Sequence, residues 1–279
     1  MAARPLLIIQ MGVPPQDIIE RFGEQGRWMQ DALGGQEGVS MSSDAPMQAG
    51  AHRHEGAGCE ADVPNQAMAP IQVVRPSLGE MLPAAHTVAG AIITGSWNMV
   101  TDREDWSELT AAWVREAFAH DVPLLGICYG HQLMAHALGG VVDYHPKGRE
   151  LGCYGVRTLA DLADDPLLHD LPDAFDALLS HEQSVITAPE GARVLACSTH
   201  DPHQILRYSP HALSVQFHPE FSPALMQACI TRRREQLLGE GVDMDAMLVN
   251  IRETQHARRI LTRFVQQVRA EMDSLSAQF

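Results

Sequence analysis

The sequence predicts an α/β fold, a mostly parallel central sheet with helices on both faces. Two features carry that prediction. Short apolar runs alternate with longer amphipathic stretches, the pattern of strand–helix–strand units. One of those runs also enters a glycine-flanked turn that leads straight into a helical pattern. With 279 residues, 45% of them apolar and 20% charged, the chain is long enough to bury a substantial core. The expectation is one domain over 1–279, carrying decorations.

Taken in order, "LLIIQ" at 6–10, "IQVV" at 71–74, "AGAIIT" at 89–94 and "VPLLGI" at 122–127 read as buried strands. Between the last two lies "DREDWSELTAAWVREAFAH", with acidic residues in its first turn and Trp106, Leu109, Trp113 and Phe118 near helical spacing. A series of short strand candidates follows: "GCYGVRTL", "QSVIT", "ARVLACS", "HQILRY" and "ALSVQF". Here the sheet is expected to gain antiparallel strands. Beyond Phe221, "PALMQACITRRREQLL" and "TQHARRILTRFVQQVRAEM" predict a helical C-terminal extension over 222–279. Residues 36–70, rich in Gly, Ala, Ser, Pro and Met and without periodicity, read as a surface insertion of low order.

Thirty-five acidic residues against 20 basic ones leave a formal charge of −15, which repels nucleic acid and anionic membranes. The basic cluster "TRRREQ" at 231–236 reads as a solvated helix face. No apolar run approaches the ~20 residues of a spanning helix, and "MAARPLLIIQMG" is too short in its apolar core for a secretory signal. A cytoplasmic protein with neither nucleic-acid nor membrane partners is the expectation. The five cysteines, Cys59, Cys128, Cys153, Cys197 and Cys229, are widely spaced with no Cys-x-x-Cys pair, indicating neither a disulfide framework nor a zinc site. His52, His54 and Cys59 in the insertion lack a fourth ligand and regular spacing. No metal and no cofactor is expected.

The chemistry centres on "LLGICYGHQL" at 124–133. Cys128 stands at the junction of a strand and a helix, with Gly126 and Gly130 two positions to either side. This is the pattern of a nucleophile elbow, in which small neighbours let strand and helix backbones approach and the central residue is strained. A thiol there feels the positive end of the helix dipole, which favours the thiolate, and the Tyr129 N–H points toward an oxyanion formed at an attacked carbonyl. A buried structural cysteine on a glycine-rich turn explains the five residues alone equally well. In "SVQFHPEF" at 214–221, His218 and Glu220 lie two apart at the end of an apolar strand, where alternate residues share a face. A carboxylate so placed can hold and polarise an imidazole serving the thiol. The order Cys, His, Glu separates the chain from serine α/β-hydrolases, whose acid precedes the histidine.

This constellation resembles the class I (triad) glutamine amidotransferases, most closely stand-alone proteins similar to the amidotransferase domain of GMP synthase. "GICYGHQ", "ITGS" and "VQFHPE" carry the likeness, with "TDREDWSE", "YHPKGRELG" and the helical tail in support. The resemblance implies a flavodoxin-like three-layer sandwich and hydrolysis of the glutamine side-chain amide through a γ-glutamyl thioester. It implies Cys128 as nucleophile, His218 as general base and then acid, and Glu220 as its orienter. Gly95 and Ser96 match the oxyanion strand loop, with the Ser96 amide as second donor beside Tyr129, although Ser96-Trp97 stands where many relatives have Gly-Pro. Gln132 matches the residue that contacts the bound glutamine's backbone groups, and otherwise reads as a helix-surface glutamine. Glu182 and Gln183, in "SHEQSV", match the loop that holds the α-amino and α-carboxylate groups through main-chain atoms. His131 and His136 read as packing or surface residues, and Cys153, Cys197 and Cys229 as small core residues.

Three functions remain open on the sequence. The first is a glutaminase passing ammonia to a separate synthetase subunit, since no phosphate-binding Gly-rich loop follows Phe221. The second is a γ-glutamyl peptidase or hydrolase acting on γ-glutamyl conjugates. The third is a non-catalytic binding or regulatory relative.

Overall fold

The computed structural model describes residues 4–33 and 70–276. The low-order reading of 36–70 and the weak metal reading of His52, His54 and Cys59 therefore fall outside the described residues, apart from Pro70. Eleven strands run in chain order: β1 (Leu6–Ile9), β2 (Ile71–Val74), β3 (Gly90–Ile93), β4 (Leu124–Ile127), β5 (Val141–Tyr144), β6 (Glu150–Thr158), β7 (Ala174–His181), β8 (Gln183–Thr187), β9 (Arg193–Cys197), β10 (Ile205–Ser209) and β11 (Ala212–Val215). The helices are α1 (Gln16–Phe22), α2 (Gln25–Ala32), α3 (Asp105–Ala119), α4 (Tyr129–Ala137), α5 (Pro223–Arg232), α6 (Arg234–Gly239), α7 (Met244–Val249) and α8 (Gln255–Ser276).

Nine strands form one sheet in the order β2-β1-β3-β4-β11-β10-β9-β6-β7. The pairings from β2 through β11 are parallel, and those from β11 through β7 are antiparallel. The sheet is thus parallel through its core with an antiparallel wing, as the series of short strands predicts. Two members of that series depart from the expectation. "ALSVQF" supplies β11, which lies parallel to β4, and "QSVIT" supplies β8, which pairs with β5 in a separate two-stranded sheet.

Side chains on β1 alternate between the two faces, as the pleat demands. Leu6 and Ile8 pack with Met29 of α2 and with α8, whereas Leu7 and Ile9 pack with α3 and α4. Helices therefore cover both faces, and the α/β expectation holds. Helix α8 presents Ala257, Ile260, Leu261, Phe264, Val265 and Val268, all buried, at the three- and four-residue spacing of one helical stripe. The predicted helix at 223–238 is instead two, breaking at Arg233. Ser222 caps the first of them by accepting from the Leu225 N–H, and Pro223 opens its first turn. Among the described residues no helix is long and apolar enough to cross a membrane.

The parallel register decides where the chemistry collects. Val215 of β11 pairs with Ile127 of β4, so the residues that follow each leave the sheet at the same edge. Cys128 N–H donates to the Val215 carbonyl at 2.9 Å, which stitches the two exits together. Open parallel sheets gather their ligands at this carboxyl edge.

Truncating Phe264 to Ala empties the centre of the α8 stripe, so denaturant unfolding of Phe264→Ala should show a loss of about 3–5 kcal/mol. A loss below about 1 kcal/mol would mean that α8 is not part of the core.

Candidate active site

Cys128 occupies the turn between β4 and α4 with φ 51° and ψ −100°, a left-handed backbone rare for a residue with a side chain. Its glycine neighbours are sterically required. A Cβ on Gly126 would lie 2.6 Å from the Gly130 carbonyl oxygen, and one on Gly130 would lie 2.2 Å from that of Ile93. Gly95, on the loop after β3, is similarly confined: a Cβ there would sit 2.9 Å from His218 Cε1 and 3.7 Å from Cys128 Cβ. The "ITGS" loop thus lies against both the cysteine and the histidine.

His218 and Glu220 leave the end of β11 with their side chains joined, Nδ1 to Oε1, at 2.8 Å. Both residues are buried. The Phe221 ring stacks on the imidazole at 4.0 Å between centroids and fixes its plane. The Cys128 side chain lies close enough to His218 to act on the charge of its ring. Burial alone would depress the His218 pKa; the charge of Glu220 first, then that of Cys128, outweigh it and raise the pKa well above the ordinary imidazole range. Cys128 Sγ also lies 3.7 Å from the Ser180 carbonyl oxygen. The structure therefore brings together thiol, imidazole and carboxylate from two separate segments.

The N–H groups flanking the thiol divide into engaged and free. Gly130 N–H is spent on the Thr94 carbonyl at 3.1 Å, which ties the "ITGS" loop to α4. Tyr129 opens α4, so its N–H has no partner in the helical ladder. The Tyr129 side chain points elsewhere, bonding Ser107 Oγ at 2.6 Å and stacking on Trp106, and burial pushes its phenol up to about 12. Ser96 Oγ accepts from Asn98 N–H at 3.0 Å, making a short side-chain turn. Trp97 sets its ring edge against Trp28 at 6.0 Å. That turn and that aromatic contact shape the loop at the position where many relatives have Gly-Pro.

Gln132 is buried and its side chain is already engaged. Its Nε2 donates to the Gln183 carbonyl at 2.6 Å and to Gln216 Oε1 at 3.1 Å. The helix-surface reading of Gln132 is therefore wrong: one turn after Cys128, α4 faces the interior. Gln183 is buried with its side chain bonded to Thr101, and the Glu182 carbonyl accepts from His145 N–H at 2.9 Å. Both lie on the segment that crosses next to the thiol, but their carbonyls are taken up within the protein. His131 is a packing residue whose Nδ1 meets Ser214 Oγ at 2.7 Å, and burial drops its pKa to about 3. His136 is half-buried beside Glu108. Cys153 and Cys229 are buried and their thiols pushed up by burial, while Cys197 is only half-buried, against Arg157. Ser180, Gln216 and Phe221 stand inside the quoted "SHEQSV" and "SVQFHPEF" segments, but no role is read for them individually from the sequence. Phe221 carries no titratable group. Among the described residues, no three His, Cys, Asp or Glu side chains are placed to hold a metal ion.

The sequence model described as Glutamine amidotransferase class-I matches residues 62–234, more than half of the chain. The chain belongs to that family. It is 41% identical over 101 residues to the glutamine-hydrolyzing GMP synthase of Thermosipho africanus, an alignment covering 36% of this chain and 19% of that protein. The chain therefore spans about a fifth of the length of such relatives. Gamma-glutamyl peptidase 2 of Arabidopsis thaliana is 27% identical over 143 residues, covering 51% of this chain and 58% of that one. Among solved structures, a glutamine amidotransferase from Thermotoga maritima superposes with a TM-score of 0.68 at 18% identity, over 96% of this chain and 99% of the other. A glutamine amidotransferase from Methylobacillus flagellatus gives 0.67 at 22% identity, over 98% and 95%. At these identities the superpositions establish a shared fold, and it is the fold the sequence predicts.

The charge balance at His218 has a direct spectroscopic consequence. A raised imidazole pKa keeps the ring protonated from acid through neutral pH, with deprotonation moved to alkaline pH. In NMR titrations, His218 should show a midpoint above the ordinary ~6.5. In Glu220→Gln the burial effect remains without its counter-charge, and the midpoint should fall. A wild-type midpoint at or below ~6.5 would contradict this electrostatic picture.

Proposed function

We propose that the protein hydrolyses the side-chain amide of glutamine to glutamate and ammonia, with Cys128 as nucleophile. The observation that carries the reading is the meeting of the Cys128 side chain with an imidazole that is buttressed by Glu220 and kept protonated. A protonated imidazole beside a thiol is the counterpart of a thiolate ready to attack. Attack on the amide carbonyl forms the C–S bond and moves the carbonyl π electrons onto oxygen. The N–H groups of Tyr129 and of the Gly95–Ser96 segment are the donors for that oxyanion. The His218 imidazolium then gives its proton to the amide nitrogen, the C–N bond breaks and ammonia departs, leaving a γ-glutamyl thioester. Neutral His218 next takes a proton from water, whose oxygen attacks the thioester. Glutamate leaves, and the thiolate–imidazolium pair is restored. Glu220 holds Nδ1 throughout and stabilises each imidazolium.

The ammonia, on this reading, goes to an acceptor on a separate synthetase subunit. The likeness to glutamine-hydrolyzing GMP synthases supports the transfer of ammonia to an acceptor. A second reading, hydrolysis of γ-glutamyl conjugates by the same groups, is favoured by the likeness to a gamma-glutamyl peptidase over more than half of that protein.

Cys128→Ala should lose at least about a thousandfold in glutaminase kcat while keeping its fold by circular dichroism. Retention of full activity would remove Cys128 from the mechanism. In wild-type protein, kcat/KM for glutamine is expected to exceed that for γ-glutamyl peptides; the reverse order would install the conjugate-hydrolase reading instead.

A further inference from the structure

Glu150 opens β6 and His181 closes β7, and the antiparallel register sets them directly opposite each other. Directly opposed residues share a face of the sheet, so their side chains can meet. They do so under nearly complete burial. His181 Nε2 donates to Glu150 Oε2 at 3.0 Å, with side-chain exposures of 1% and 4%. The same carboxylate accepts from Gln204 Nε2 at 3.0 Å and from Ser198 Oγ at 2.8 Å. It thus collects three donors from two segments, the end of β7 and the connection between β9 and β10.

The other side of the His181 ring faces the reaction centre. Nδ1 lies 2.9 Å from the Gln183 carbonyl, and that carbonyl also accepts from Gln132 of the nucleophile's own helix. One residue before His181, the Ser180 carbonyl lies against Cys128 Sγ. With Nε2 against the Glu150 carboxylate and Nδ1 against the Gln183 carbonyl and Ser184 Oγ, the ring is held in one orientation from both sides. A line of hydrogen bonds therefore runs from Ser198 and Gln204 through Glu150 and His181 to the main chain beside the thiol.

We propose that Glu150 is a positioning residue for the substrate: acting through His181, it fixes the Ser180–Gln183 main chain at the distance from Cys128 that a glutamyl group needs. The proposal rests on the reading that Cys128 attacks a glutamyl amide. Glu150 touches neither the thiol nor the imidazole of His218, so its loss acts on how a glutamyl group is seated. The reactivity of the thiol itself stays as it was. A buried pair with a purely structural role would lower stability without separating these two effects.

Glu150→Gln keeps the shape of the side chain but removes its charge and one acceptor oxygen. Two electrophiles report on its effect. Iodoacetamide needs only an accessible, activated thiol, whereas diazo-oxo-norleucine must first be seated as glutamine is. In Glu150→Gln, labelling of Cys128 by diazo-oxo-norleucine should slow about tenfold or more while iodoacetamide labelling stays within about twofold, and KM for glutamine should rise with kcat changed by less than about threefold. Ser198→Ala leaves the carboxylate in place and removes one of its donors, so it should move the ratio of the two rates in the same direction by about two- to fivefold, even if Glu150→Gln fails to fold. Equal slowing of both reagents, or an unchanged ratio in the variants that fold, would overturn the proposal. A wild-type protein labelled by iodoacetamide but not by diazo-oxo-norleucine would remove the glutamyl reading, and this inference with it. Normal wild-type labelling with an unchanged variant ratio removes the inference alone.

Discussion

The rest of the site depends on the backbone of Cys128. A φ of 51° on a residue with a side chain costs about 1–3 kcal/mol, and such a conformation persists only where its surroundings dictate it. Here they do: Gly126 admits the Gly130 backbone, Gly130 admits the Ile93 carbonyl, and Gly95 admits the imidazole of His218. Three positions without side chains let a strand, a helix and a loop close around Cys128. Hydrogen bonds hold that closure, from Cys128 to Val215, from Gly130 to Thr94 and from Gln132 to the Cys128 carbonyl. The strain aims the side chain out of the turn, toward His218.

Around this corner, electrostatics runs against burial. His218 and Glu220 are both buried, where isolated charges are expensive, yet the imidazole is held protonated because its neighbours are a carboxylate and the cysteine side chain. His131, three residues past Cys128, shows the opposite outcome in the same core. With a serine hydroxyl in place of a carboxylate as its side-chain hydrogen-bond partner, burial wins and the ring stays neutral. Two buried histidines near Cys128 thus differ in charge because of what faces them.

Much of this is legible in the sequence, for identifiable reasons. The strands Leu6–Ile9, Gly90–Ile93 and Leu124–Ile127 carry no polar side chain, and buried parallel strands leave that trace. The elbow is legible because its steric demand falls on glycines at fixed offsets from Cys128. The short helices α1 and α2 leave little trace because seven or eight residues give too little periodicity, and β5 and β7 because exposed or polar residues interrupt them. The break at Arg233 has no proline or glycine as a marker. Pattern alone groups β11 with the antiparallel wing, because a strand's partner is not written in the strand itself. The same limit hides the pairing of Glu150 with His181, 31 residues apart, which only the register of β6 against β7 creates. Gln132 is readable as part of the site, but its burial depends on the β8 segment folding over α4.

The central claim is that a glutamyl group becomes covalently attached to Cys128 by displacing ammonia. Rapid acid quenching of the protein during turnover of glutamine, followed by mass spectrometry of its peptides, tests that claim directly. The account predicts a γ-glutamyl adduct confined to the peptide containing Cys128, absent from Cys128→Ala and released on return to neutral pH as thioesters hydrolyse. Glutamate and ammonia produced in equal amounts by wild-type protein with no adduct on Cys128 at any quench time, and by a Cys128→Ala protein as active as wild type, would contradict it.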